Sequence, residues 1–326
     1  PKALRDWLVA VFDKVVRTPP PADFEAVVAI VAARIKQIVG SDLFEISELQ
    51  SFSEEIVRVC STDTISVVVT EKSLHVGSTA YPLPTPDVKL AFSPTQDRPV
   101  AFWLDGETLN ALDVIKQEKI IQAATGSGLM ECDGRVYVQN GTHVIEQKLQ
   151  ELGGKIRIIP SIVGRVLDVP GATQIFDGVI LQNMLGTFHA SLFPESGKCF
   201  QIRLKELQEY RVVDARYENN VLVVVGVKQG QYDRFVFRFD SKTFKNYDVR
   251  ITDNITYTGL NFTVADQGIA VLLNDEEKLE AFSNSMSSSS VKVMDDDALE
   301  ADMKFFHKGT KILFAKGKKL FTIKMK

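Results

Sequence analysis

One mark recurs along this chain and limits what it can fold into: a polar turn followed at once by a short apolar strand. It stands at Ser61-Thr62-Asp63 before Ile65-Ser66-Val67-Val68-Val69, at Gln96-Asp97-Arg98 before Val100-Ala101-Phe102-Trp103, and at Asp133-Gly134 before Val136-Tyr137-Val138. It returns at Asp177-Gly178 before Val179-Ile180-Leu181 and at Asn219-Asn220 before the valine run 221–225. The last two are Asp266-Gln267-Gly268 before 269–273, and Lys308-Gly309 before Ile312-Leu313-Phe314. Asn, Asp and Gly supply the conformations tight turns need, and β-branched and aromatic runs fit a pleated sheet. The spacing of roughly 35 to roughly 48 residues is that of units that each fold as four short strands and stack around an axis. Seven marks predict a mainly β, seven-bladed β-propeller; the spacing leaves six or eight blades open.

The unit from Tyr210 to Arg250 carries the pattern most fully. A strand reaches the Asn219-Asn220 turn, a valine-rich strand follows to Val227, and a Gly230-centred turn leads to a third strand. There Phe235, Phe237 and Phe239 alternate with Val236 and Arg238, the period of a half-buried strand. Asp240-Ser241-Lys242 then turns into a short fourth strand. In other units Asp105-Gly106 and Asn140-Gly141 give strong hairpin signals. Residues Lys89 to Asp113 resemble a degenerate WD40 blade: Ala91-Phe92-Ser93-Pro94 sits at the entry strand and Asp105-Gly106 at the turn before the outer strand. The Trp-Asp dipeptide and Gly-His pair of that family are missing, so the resemblance implies an architecture and no shared function. The last unit, Leu299 to Lys326, holds only three strands, and a strand near 54–60 is expected to close the ring.

Residues 1–40 differ from the rest. Leu4, Trp7, Leu8, Val11, Phe12, Val15 and Val16 recur at helical spacing, and Thr18-Pro19-Pro20-Pro21 ends the run. Asp23 is placed to cap a second helix carrying Phe24, Val27, Val28, Val31, Ile35 and Ile38, which stops at Gly40. The expectation is a helical hairpin or arm over 1–40 and a propeller over 41–326. Trp7, Phe12 and Phe24 are the candidate partner-binding anchors, because aromatic side chains dominate interface energetics.

The 326 residues carry a net charge of −4, against the basic field that broad nucleic-acid or membrane-surface binding needs. Cys60, Cys132 and Cys199 form no CxxC pair, and no apolar run reaches membrane-spanning length. Together with the lack of a secretory signal, these point to an intracellular protein, cytoplasmic or nuclear.

No catalytic motif stands out. His75, His143, His189 and His307 fall in different blades, without metal-ligand spacing, and read as surface or turn residues. Asp295-Asp296-Asp297 follows the serine-rich stretch 283–290 and lacks EF-hand spacing, so it reads as a solvated loop. Thr125-Gly126-Ser127-Gly128 lacks the Lys-Ser/Thr of a phosphate loop. The eight lysines between Lys304 and Lys326 read as turn and edge-strand residues. No cofactor or metal is expected. The reading is a non-enzymatic scaffold or adaptor, a complex subunit that binds protein partners through propeller loops and the helical arm. An enzyme or small-ligand binder using the central channel is the alternative, and a nucleic-acid contact through the lysine-rich last blade a third.

Overall fold

The computed structural model describes residues 41–326 except 86, 122–123, 170, 241, 257–258 and 284–289. Its strands form seven four-stranded antiparallel sheets, and six of these run through four consecutive strands. The described residues form a seven-bladed β-propeller. The expected helical hairpin over 1–40, with Trp7, Phe12 and Phe24, lies outside the described residues.

Each turn mark joins the first strand of a blade to its second. The first strands of blades 1 to 7 are Ile56–Ser61, Lys89–Phe92, Gly128–Cys132, Thr173–Phe176, Arg211–Glu218, Phe262–Val264 and Lys304–Lys308. They stand innermost, around the channel. Turn chemistry explains why the marks were readable: Asp133, Gly134, Asn219 and Asn220 all take positive φ, which Asn, Asp and Gly tolerate best. The second strands are the most deeply buried, as in Val221–Lys228, where Val221 to Gly226 are all buried.

The core lies between blades. One cluster spans blades 3, 4 and 5, and five others fill the 1–2, 2–3, 5–6, 6–7 and 7–1 contacts. A four-stranded sheet cannot bury both faces alone. Packing face to face around a ring supplies each with two neighbours.

The seam corrects one expectation. Segment 54–60 does not close the ring: Ile56–Ser61 pairs with Ser66–Thr70 as the inner strand of blade 1. The closing strand is Phe44–Ser51, antiparallel to Lys319–Met325, with Phe44 opposite Met325 and Ser51 opposite Lys319. Phe44 and Ile46 are buried, while Glu45, Leu49, Gln50 and Ser51 are exposed. An outermost strand shows solvent most of its side chains, so its apolar signal is faint. Lys319–Met325 is therefore an interior strand of blade 7, not the edge strand its lysines implied.

Candidate functional site

An inner strand bonds to its blade on one side only. Its other edge faces the channel, where backbone groups must find partners among side chains or water. Here charged side chains supply many of them, and they do so by reaching across blades.

Glu131 of blade 3 accepts the Leu90 N–H of blade 2 at 2.7 Å and the Arg58 guanidinium of blade 1 at 2.7 Å. Asp177, just after the inner strand of blade 4, accepts the Glu131 N–H at 3.1 Å and the Lys89 ammonium of blade 2 at 2.6 and 2.7 Å. Glu218 of blade 5 accepts the Val264 N–H and the Thr263 hydroxyl of blade 6 at 2.9 and 2.6 Å, and pairs with His307 Nδ1 of blade 7 at 2.8 Å. In each case one carboxylate holds a backbone N–H of the adjacent blade and a basic side chain from the blade beyond.

Further contacts bridge the other joints and reinforce one of these. Arg58 donates to Val88 O at 2.6 Å, and the Tyr217 N–H to Asp177 O at 3.0 Å. Arg216 donates to Phe262 O and lies over the Phe262 ring at 4.3 Å. Asn261 Oδ1 accepts the Phe305 N–H at 2.9 Å, and Lys304 donates to Ile56 O at 3.3 Å. The polar contacts thus run through all seven inner strands and close on themselves.

These pairings set the ionisation. Burial penalises the Asp177 carboxylate, but Lys89 and Arg58 outweigh it and hold its pKa below the usual range. Burial likewise opposes the charges of Glu218 and His307, yet their mutual hydrogen bond moves the Glu218 pKa down and the His307 pKa up. Burial would lower the Arg58 pKa, and Glu131 more than reverses that. Burial raises all three thiols, Cys132 to about 12 and Cys199 to about 11, with Cys60 pushed higher still by burial and Glu131. None is a thiolate nucleophile at neutral pH.

A cavity of about 400 Å³ opens on the face carrying the inner turns, lined by Glu131, Asp133, Arg135, Asp177, Asp266 and His307 among others. A second, of about 440 Å³, opens on the opposite face, and Arg58 and Arg216 line both. Among the described residues no group of three His, Cys, Asp or Glu side chains is arranged to hold a metal, and no helix is long and apolar enough to cross a membrane.

The structure revises the histidines: all four lie half-buried in strands. His307, expected at a surface or turn, lines the channel between Glu218 and Asp266, the latter 3.7 Å from Nε2. His75 sits in blade 1, edge-on to Phe52 at 4.9 Å, its pKa lowered by burial. His143 and His189 lie in blades 3 and 4. In the acidic run, Asp296 accepts the Ser41 hydroxyl and the Leu43 and Ala298 N–H groups, pinning the start of the seam strand. Lys304, Lys316, Lys319 and Lys326 bond within the fold, to Ile56 O, Glu300, Glu48 and Ser41 O. The glycine loop 125–128 is packing: a Cβ on Gly126 would fall 2.2 Å from Val138, and one on Gly128 2.0 Å from Ile175. The Gly126 and Ser127 N–H groups already bond to Glu107 O and Gln139 O.

Sequence reasoning missed the ring residues Arg58, Lys89, Glu131, Asp177, Arg216 and Glu218. Their one signal was charge in or beside the strand before a turn mark, which solvent-facing residues also give.

No protein-family model matches the sequence, and no curated protein matches it. Among solved structures, the Nup133 β-propeller domain of Vanderwaltozyma polyspora is 10% identical, with 90% of this chain and 100% of that one covered and a TM-score of 0.51. Hydrazine synthase of Kuenenia stuttgartiensis is 9% identical, with 85% and 97% covered and a TM-score of 0.51. The WD40 domain of SCAP from fission yeast is 11% identical, with 86% and 98% covered and a TM-score of 0.42. At such identities the likeness is one of fold alone. The chain is similar to β-propeller domains in architecture, with no specific family marked.

Proposed function

We propose that this protein is a non-enzymatic scaffold or adaptor that binds protein partners through its propeller loops and its N-terminal segment, as a subunit of a larger assembly. One observation carries the reading: Glu131, Asp177 and Glu218 are paired with Arg58, Lys89 and His307 around the channel. Carboxylates and basic groups committed to bonds between blades are less free to bind a substrate, as catalysis in a channel requires. That leaves the loops and rims as contact surface. Trp7, Phe12 and Phe24 are the proposed anchors of the N-terminal segment.

The test is a crosslinking pull-down from the native cell with the full chain and with a chain starting at Ser41. The expected result is a stable protein partner held by the full chain and weakened or lost without residues 1–40. Equal recovery by both chains removes the N-terminal segment from the proposal and leaves the loops. Recovery of no protein by either chain overturns the adaptor reading in favour of a channel ligand or substrate.

A further inference from the structure

The groove between blades 5 and 6, on the face of the inner turns, has a guanidinium in its floor that no carboxylate balances. Arg238 lies in the third strand of blade 5, Gln231–Phe239, and is 8% exposed. Its Nη2 donates to Gly268 O at 2.8 Å, while its buried Nη1 has no hydrogen-bond partner among the described residues. Gly268 is suited to this approach: its φ is +79°, and a Cβ there would stand 3.0 Å from Nη2. Burial pushes the Arg238 pKa down, and no ion-paired acid holds it up. A buried, singly bonded guanidinium is costly unless a partner completes its hydrogen bonds, and its fork suits a carboxylate.

The walls carry the opposite charge. The groove encloses about 520 Å³, lined by Asn219, Asn220, Arg238, Asp240, Asp248 and Asp266 among others. The three aspartates are exposed at its rim. Asp248 stands opposite Arg238 in the ladder without pairing with it. Asp240 holds its own turn, accepting the Lys242 N–H and the Thr243 hydroxyl. Asp266 faces His307 on the channel side. A cationic floor beneath an anionic rim selects against a polyanion such as a nucleic acid, which the rim repels. It selects equally against a small free carboxylate, which leaves the rim unanswered.

We propose that this groove binds an extended segment of a partner protein in which one aspartate or glutamate, seated on Arg238, is flanked by lysine or arginine residues that meet Asp240, Asp248 and Asp266. The proposal rests on the protein-partner reading above and adds to it the face, the anchoring residue and the chemistry recognised.

The test displays random nonapeptides against the immobilised full chain and synthesises the enriched consensus. The expected result is a single acidic position with basic residues on both sides. Changing that acid to its amide is expected to weaken binding by at least about tenfold, the weight of a charge-assisted hydrogen bond. Arg238→Gln is expected to lose binding to the same degree, with Arg238→Lys only partly restoring it. Asp248→Asn, at an exposed position that leaves the core untouched, keeps the acidic preference and relaxes the basic one, so the proposal is testable even if Arg238→Gln unfolds. Enrichment without an acidic position, no enrichment at all, or equal binding by a folded Arg238→Gln overturns it. The two readings fail separately. A native partner retained by Arg238→Gln in the pull-down ends the groove assignment and spares the adaptor, whereas absence of any partner on the unaltered chain ends the adaptor itself.

Discussion

The Glu218–His307 pair makes a side-chain contact that titrates. Glu218 faces His307 Nδ1 at 2.8 Å, Asp266 faces Nε2, Asp133 adds charge from farther off, and Arg216 shares Glu218 at 3.6 Å. The His307 pKa is raised above its ordinary 6.5, so its contribution to stability is complete below 6.5 and is lost as pH rises through the folded value. Glu218 has the opposite sign: its pKa is depressed below 4.5, so its contribution is present above 4.5 and is lost as pH falls through the depressed value. The pair thus stabilises most between those limits. With the His307 side chain 26% exposed, on the order of 1 kcal/mol is at stake, or about 2–4 °C in melting temperature. Calorimetry between about pH 6 and about pH 9 is expected to show that fall in the native chain and a flatter profile in His307→Gln; equal slopes in both chains would remove the pair from the account. Neither partner was legible in the sequence. Arg58 and Glu131 are 73 residues apart and Lys89 and Asp177 88 apart, and each pair skips a blade. Which inner strands face one another across a channel follows from the curvature of the closed ring, and strand periodicity says nothing about it.

Strands tell a different story, because their signals are local. All seven inner turns were readable from Asn, Asp, Gly and Lys followed by apolar runs, since a positive φ or a tight reversal restricts residue choice at the site itself. The seam strand Phe44–Ser51 escaped notice because only Phe44, Ile46 and Ser47 in it are buried. Its removal is nonetheless expected to be expensive. A chain starting at Phe52 gives up the burial of Phe44 and Ile46, about 4 kcal/mol at ~2 kcal/mol per side chain. It also leaves Lys319–Met325 as an open edge, an invitation to pair with other chains. The expected result is a melting temperature lower by about 10 °C, with light scattering that grows with concentration, whereas a chain starting at Ser41 keeps every described strand. An unchanged melt and a monodisperse chain from Phe52 would mean that the seam does not secure the ring.

At the scale of the whole molecule, the question is whether closing the ring inside a blade does something that closing it between blades does not. Each blade packs on its two neighbours through side chains, and the inter-blade clusters continue around the ring. Only blade 7 combines strands from both ends of the described chain, and there the closure is a hydrogen-bonded ladder from Phe44–Met325 to Ser51–Lys319. The two ends also meet directly: the Lys326 N–H bonds to Leu43 O at 3.0 Å, and Lys326 Nζ to Ser41 O at 2.6 Å. A short Gly-Ser linker is therefore enough to join Lys326 to Ser41 and move the termini elsewhere. New ends opened in the segment 166–172 fall between the outer strand of blade 3, Lys155–Arg165, and the inner strand of blade 4, Thr173–Phe176, leaving both sheets whole. In that permutant the ring closes through packing, the Glu131–Asp177 bond and the other contacts between blades 3 and 4, with no strand shared by the two ends. Opening between these blades then costs no sheet hydrogen bonds, so the permutant is expected to fold with a native far-ultraviolet spectrum and melt about 5 °C lower, a loss of roughly 2 kcal/mol. Hydrogen exchange is expected to find the strands of blades 3 and 4 less protected than in the native order, and those of blade 7 more so. A permutant as stable as the native chain would mean that the inter-blade cores and the paired charges of the channel hold the ring unaided, and that the shared blade secures only the chain ends.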